Sequence, residues 1–140
     1  MRLKKKLGQH FLVNEIVAKS ITDLISDETA KVVEVGPGMG VLTKFLMDKE
    51  LDLKLVKVID THIHADHVTG ASKLKDITKC STIMGAHTPA DTVEIKVKDD
   101  EYIDLDNIKI RAMYTPGHTS DSYSFLMNNY LFSGDTLLIN

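Results

Sequence analysis

Tryptophan is absent from this 140-residue sequence, cysteine occurs once and proline three times. The single cysteine, Cys80, cannot close an internal disulfide, which excludes a disulfide-stapled scaffold and makes a reducing cytoplasm the expected setting. With three prolines and eight glycines, collagen-like and Pro/Gly-rich low-complexity chains are excluded as well. No apolar run approaches the roughly 20 residues that span a bilayer. The N-terminus also lacks the apolar core and small-residue cleavage site of a secretory signal, so no membrane partner is expected. A net charge of −3 excludes a generally basic nucleic-acid binder. Arg2, Lys4, Lys5 and Lys6 nevertheless crowd the N-terminus and leave room for a local RNA contact. With 43% hydrophobic and 26% charged residues, the composition is that of a globular protein able to build a core, and the length suits one ordinary domain.

Periodicity gives the order of elements. From Asn14, Ile16, Val17, Ser20, Ile21, Leu24 and Ile25 recur at helical spacing, with Asn14 placed to cap the first turn. Lys31 to Val35 reads as a buried strand, Gly36 to Gly40 as a glycine-rich turn, Val41 to Lys49 as a helix and Leu53 to Ile59 as a second strand, a βαβ pattern. Beyond Asp60 the segments shorten. A helix is expected from His67 to Leu74, followed by strands at Thr82 to Met84, Glu94 to Val97, Tyr102 to Leu105, Ile108 to Tyr114, Tyr123 to Met127 and Tyr130 to Phe132. Asp106-Asn107 and Asn128-Asn129 supply tight turns, because Asn and Asp tolerate positive φ.

Chemistry concentrates in Thr61-His62-Ile63-His64-Ala65-Asp66-His67, which sets three imidazoles and a carboxylate directly after a strand. Imidazole nitrogen and carboxylate oxygen together suit Zn, Fe or Mn, and a loop leaving a strand end can aim alternate side chains at one point. His118, in Thr115-Pro116-Gly117-His118, and Asp135, in Ser133-Gly134-Asp135, are further ligand candidates that each follow a strand. His87 has no such company and reads as an ordinary histidine, Cys80 as a small buried residue. Ser20, Ser26 and Ser124 lack the context of an activated nucleophile.

The His62, His64, Asp66, His67 pattern resembles the H-x-H-x-D-H signature of the metallo-β-lactamase superfamily. With Tyr-Thr-Pro-Gly-His-Thr and Phe-Ser-Gly-Asp-Thr-Leu-Leu-Ile, the stretch from about Val58 to Asn140 is most similar to its persulfide dioxygenase and glyoxalase II-like branch. In the dioxygenases the resemblance implies one iron on His62, His118 and Asp135 and the oxidation of a glutathione persulfide. In the dinuclear hydrolases it implies His62, His64 and His118 on one metal, Asp66 and His67 on the other and Asp135 between them. Those hydrolases take a last histidine from a later segment, and no histidine follows His118 here. The cofactor expected is Fe(II) or Zn(II), and the substrate a small thiol or glutathione derivative.

The N-terminal part carries a different pattern. Glu34-Val35-Gly36-Pro37-Gly38-Met39-Gly40 forms a glycine turn between strand and helix, and Leu7-Gly8-Gln9-His10-Phe11-Leu12 precedes it. By itself the turn is a tight βα connection. Together the two motifs resemble the ribosomal RNA adenine dimethyltransferases. That resemblance implies S-adenosylmethionine bound by Gln9, His10, Leu12, Glu34, Gly36 and Gly38, with Asp60 on the ribose, and the basic arm against RNA. The family's Asn-Leu/Ile-Pro-Tyr/Phe motif, which positions the target adenine, is absent from this sequence, so methyl transfer is not expected, and the alternative to a metal enzyme is a non-catalytic metal- or S-adenosylmethionine-binding remnant of a gene fusion.

The fold expected is therefore α/β: a partial metallo-β-lactamase-like αββα sandwich over 56–140, preceded over 1–55 by a Rossmann-like helix-βαβ fragment. The junction falls in a segment that reads as a strand in both, which predicts an unbroken strand across Val56 to Ile59. A half sandwich leaves an inner sheet face to be covered, either by the N-terminal fragment or by a second copy, and a homodimer is the expectation in the latter case.

Overall fold

The structure is a computed structural model that describes residues 12–26, 32, 34, 40–49, 55–64 and 70–137. Within these, α1 (Glu15–Asp23) and α2 (Val41–Met47) come first, followed by β1 (Lys57–Ile59), α3 (Ala71–Thr78), β2 (Ser81–Gly85), β3 (Ile95–Val97), β4 (Tyr102–Leu105), β5 (Ile108–Tyr114), β6 (Tyr123–Met127), β7 (Tyr130–Phe132) and a 3₁₀ turn, Gly134–Leu137. The expected strand over Lys31 to Val35 lies mostly outside the described residues.

The seven strands form two sheets. β1, β2 and β3 pair in that order, all parallel, with Val58 opposite Thr82 and Met84 opposite Lys96. β4 to β7 form an antiparallel meander in chain order. Its two tight connections are as the residue types predict: Asp106 and Asn128 sit at φ 56 and 53, the left-handed region that a two-residue hairpin loop requires. The faces of the two sheets meet in one core, where Ile83 and Val97 of the parallel sheet pack with Ile103, Ile110, Ala112, Tyr123 and Phe125 of the meander. On the far side of β1 and β2, Ala71 and Leu74 of α3 pack with Val58 and Cys80. The last four residues of β2 are buried, as expected for a strand covered on both faces. The order is thus helix, sheet, sheet, three layers of an αββα sandwich.

The junction strand is continuous where it is described. Ser81 N–H donates to the Val56 carbonyl at 3.0 Å, so the ladder starts one residue ahead of β1. The helix expected from His67 instead starts at Ala71, behind Gly70.

Asn14 caps α1 as expected, its side chain accepting from Ile16 and Val17 N–H. The buried face of this helix differs from the expectation. Ala18 and Thr22 are buried, whereas Ile16 is 78% and Leu24 85% exposed. α1 lies against α2, joined by Lys44–Glu15 at 3.3 Å and by Lys49 Nζ, which donates to the Thr22 and Ile25 carbonyls at 2.7 and 2.9 Å. Small residues at i and i+4 permit this close approach, and the large apolar side chains are displaced to the flanks. Lys49 thereby brings a cation to carbonyls at the C-terminal end of α1, where the helix dipole favours positive charge.

Candidate metal centre

Three chain segments converge at one edge of the two sheets. The first leaves β1. Asp60 N–H still donates to the Ile83 carbonyl, and the Thr61 carbonyl accepts from Tyr123 N–H at 2.9 Å, so the chain is pinned to both sheets immediately before His62. Asp121, itself buried, then accepts from Ile63 N–H at 3.0 Å. The second segment is the β5–β6 loop carrying His118, folded on itself by Thr115 N–H to the Ser122 carbonyl, Gly117 N–H to the Thr119 carbonyl and a Thr119–Ser122 hydroxyl pair. The third is the 3₁₀ turn after β7, which carries Asp135. Thr136 Oγ1 lies 3.3 Å from Thr115 Oγ1, which in turn lies 2.9 Å from Ser124 Oγ, tying this turn to the base of the His118 loop.

His62, His118 and Asp135 each aim one ligand atom into the space between these segments, all within 4.8 Å of one another. His118 Nε2 lies 3.4 Å and His62 Nε2 3.9 Å from the same oxygen, Asp135 Oδ2. Donors bound tetrahedrally to one ion at about 2.1 Å sit roughly 3.4 Å apart, so the carboxylate and His118 already have that spacing and His62 approaches it. The His62 ring is only 2% exposed, and its Nε2 is the one buried side-chain nitrogen or oxygen among the described residues without a hydrogen-bond partner. Leaving such an atom bare is costly. Coordination to a cation would satisfy it. Burial, and after it the neighbouring His64 ring, pushes the His62 pKa down, with Asp135 opposing. The neutral imidazole that a metal needs is therefore favoured in the fold. The residues present fit a metal ion.

The other residues singled out in the sequence are placed as follows. His64 stands beside His62, ring centroids 4.2 Å apart, and with Asp60 lines a cavity of about 260 Å³ against Ser72 and Met84. It is not in the three-residue group. Asp66 and His67 lie outside the described residues, as do Gln9, His10, Gly36 and Gly38. Leu12 is half-buried. Glu34 accepts from Thr43 Oγ1 of α2 at 2.6 Å, whereas Asp60 faces the histidine cavity. His87 stacks on Tyr114 at 3.9 Å and pairs with the Tyr123 hydroxyl at 2.9 Å, in keeping with its reading as a histidine outside the cluster. Cys80 is buried. Asp121 and Thr61 were not singled out by the motif, and their neighbours in sequence gave the only signal: one precedes the first histidine and the other follows His118 by three residues.

This chain matches the crystal structure of ETHE1 from Myxococcus xanthus with a TM-score of 0.65 and 33% identity, over 74% of this chain and 46% of that one. It matches a metallo-β-lactamase from Staphylococcus aureus with a TM-score of 0.60 and 24% identity, over 71% of this chain and 33% of that one. The chain therefore has the metallo-β-lactamase fold. The family model for ribosomal RNA adenine dimethylase matches residues 1–84, and the chain belongs to that family.

Both likenesses recur among curated proteins. The small-subunit rRNA methyltransferase A of Flavobacterium johnsoniae is 46% identical over 80 residues, 54% of this chain and 29% of that protein. The human mitochondrial persulfide dioxygenase is 29% identical over 130 residues, 89% of this chain and 51% of the relative. The hydroxyacylglutathione hydrolase of Francisella tularensis subsp. novicida is 34% identical over 136 residues, 94% and 52% respectively. The chain thus spans about half the length of the latter two relatives and less of the first. No helix among the described residues is long and apolar enough to cross a membrane.

Proposed function

We propose that the chain is a mononuclear metal enzyme of persulfide dioxygenase type, with iron(II) held by His62, His118 and Asp135 and a glutathione persulfide as substrate. The observation that carries this reading is the buried, unpartnered Nε2 of His62 facing His118 and Asp135. An iron(II) ion on two histidines and one carboxylate supplies open coordination positions for a thiol-derived substrate and for dioxygen. The chain's own residues set the conditions. His62 presents a neutral imidazole nitrogen from a buried position, Asp135 contributes the negative charge that offsets the cation, and His118, about one-third exposed, stands on the solvent side of the group. The Asp121 carboxylate holds the loop that carries His62 and His64 against the loop that carries His118.

A second reading, thioester hydrolysis of glyoxalase II type with zinc, is favoured by the Francisella relative, which matches 94% of this chain, and by His64 lying within reach of His62. Elemental analysis and oxygen uptake separate the two. The dioxygenase reading expects about one iron per chain and oxygen consumption with glutathione persulfide, with both lost in His62→Ala. Stoichiometric zinc with hydrolysis of a glutathione thioester selects the second reading. A protein that takes up neither metal sinks both.

The remaining assignments belong to this proposal. We divide the chain into a methyltransferase-like fragment over 1–55 and a metal-binding domain over 56–140, joined by fusion. Any S-adenosylmethionine site in the first would use Glu34 and its glycine turn, and any RNA contact the basic arm. A calorimetric titration with S-adenosylmethionine tests the former. The two sheets cover each other's inner faces, so the half sandwich does not need a second copy for that face; a homodimer and a cytoplasmic location for a protein with a single cysteine complete the reading.

A further inference from the structure

Thr61 stands where the three ligand-bearing segments meet. Its Oγ1 lies 2.9 Å from His62 Nδ1. Its carbonyl accepts the Tyr123 N–H at 2.9 Å, at the start of the strand that follows the His118 loop. Its side chain fills the space in front of Gly134, the residue before Asp135: a Cβ at position 134 would come within 2.5 Å of Thr61 Oγ1, 2.9 Å of its Cβ and 3.2 Å of its Cγ2. Gly134 also has φ +53, where a side chain is strained. One residue therefore touches the first ligand directly, the backbone next to the second ligand's loop, and the glycine that seats the third.

We propose that Thr61 is a positioning residue for the metal centre: its Oγ1 accepts the Nδ1–H of His62, and its Oγ1 and Cβ form the floor on which Gly134 seats Asp135. This rests on the assignment of His62, His118 and Asp135 as metal ligands. A neutral imidazole carries one proton. With that proton on Nδ1 and donated to Thr61, Nε2 presents a lone pair toward His118 and Asp135, the form a metal binds. With the proton on Nε2 instead, the N–H would face a carboxylate 3.9 Å away, too far for a hydrogen bond. The hydroxyl and Gly134 are matched to each other, because only a residue without Cβ leaves Oγ1 the room to stand beside the His62 ring. Outer-shell partners of this kind are commonly worth 10- to 100-fold in metal affinity.

The test is cobalt(II) titration of the purified chain, followed by visible absorption, for the parent, Thr61→Val, Thr61→Ala and Thr61→Ser, with melting temperatures measured in chelator. Valine keeps the shape and removes the acceptor; alanine removes the acceptor without adding bulk, so a folding defect peculiar to valine leaves the comparison intact. Thr61→Val and Thr61→Ala are expected to bind cobalt about 10- to 100-fold more weakly, with shifted absorption bands. Thr61→Ser is expected to keep the parent affinity and spectrum. Parent-like binding by Thr61→Ala overturns the proposal, and so does equal weakening in Thr61→Ser, which would make the effect one of packing. Unchanged cobalt binding in His118→Ala would instead overturn the ligand assignment, whatever Thr61 does.

Discussion

Gly85→Ala is expected to destabilise the protein by roughly 3 kcal/mol or more, at or beyond the upper end of the usual cost of overpacking. A Cβ on Gly85 would meet Cγ, Cδ2 and Cε2 of the Tyr123 ring at separations no real side chain tolerates. The ring has nowhere to retreat. Tyr123 is fully buried, packs at 5.2 Å on Tyr114, and has its hydroxyl at 2.9 Å from His87 Nδ1. Its backbone is registered to Tyr114 and bonded to Thr61. Relief requires β2 and β6, and with them the two sheets, to part at the centre of their shared core. Since a whole domain is stable by only about 5–15 kcal/mol, the urea midpoint should fall by roughly a fifth to three-fifths or more, and Gly85→Ala with Tyr123→Leu should be less destabilised than the sum of the two single changes. A neutral Gly85→Ala would contradict this packing.

The second large effect concerns the metal. An ion that binds the folded chain and not the unfolded one stabilises by about 4 kcal/mol at a free concentration a thousand times its dissociation constant. At this chain length that corresponds to a rise in melting temperature of about 10–15 °C. Unfolding separates His62, His118 and Asp135, so little of the affinity survives it. Differential scanning calorimetry with and without chelator checks the shift, and Asp135→Ala should abolish it; identical melting curves for parent and chelated protein would refute it. The gain should also shrink on acidification. His62 has its pKa lowered in the fold, chiefly by burial, so below about 6.5, the ordinary imidazole value, the unfolded chain takes up a proton that the folded chain resists. Stability from this group is therefore complete above that pH and is lost as pH falls toward the lowered folded value, in the apo protein as well as through proton competition with the metal.

His62, His118 and Asp135, which the fold brings together, were legible among the ligand candidates because metal chemistry restricts residue type, and because loops after strand ends are where such residues converge. Strand bounds at Tyr102–Leu105, Ile108–Tyr114, Tyr123–Met127 and Tyr130–Phe132 were equally legible, since two-residue Asp/Asn turns fix the register. Spacing could not decide among His62, His64, Asp66 and His67, because a loop that leaves a strand sets its own direction. Here the anchors are the Thr61 carbonyl and the Ile63 N–H, bonded to residues some sixty positions away. The same holds for Gly85 and Gly134, whose necessity comes from Tyr123 and Thr61 and has no local signature. α1 shows a conflict of another kind. Its large apolar residues are the strongest pattern in its sequence, yet the contact with α2 selects Ala18 and Thr22, because close approach of two helices rewards small side chains.

The topology also divides the metal group in time. Each strand of the meander pairs with its neighbour in the chain, two of the three connections being two-residue turns, whereas β1 reaches β2 only after the chain between Ile59 and Ser81 has passed through α3. Closing the longer connection costs more entropy before any pairing is gained. The meander is therefore expected to form first, and pulse-labelling hydrogen exchange should find β5 and β6 amides protected before those of β1 and β2. His118 and Asp135 belong to the early unit and His62 to the late one. If these three hold an ion as proposed, one arriving during folding would meet a two-pronged grip, and the third prong would close only when the parallel sheet has docked. Full-strength metal retention would then certify that the two sheets have been assembled in their final register.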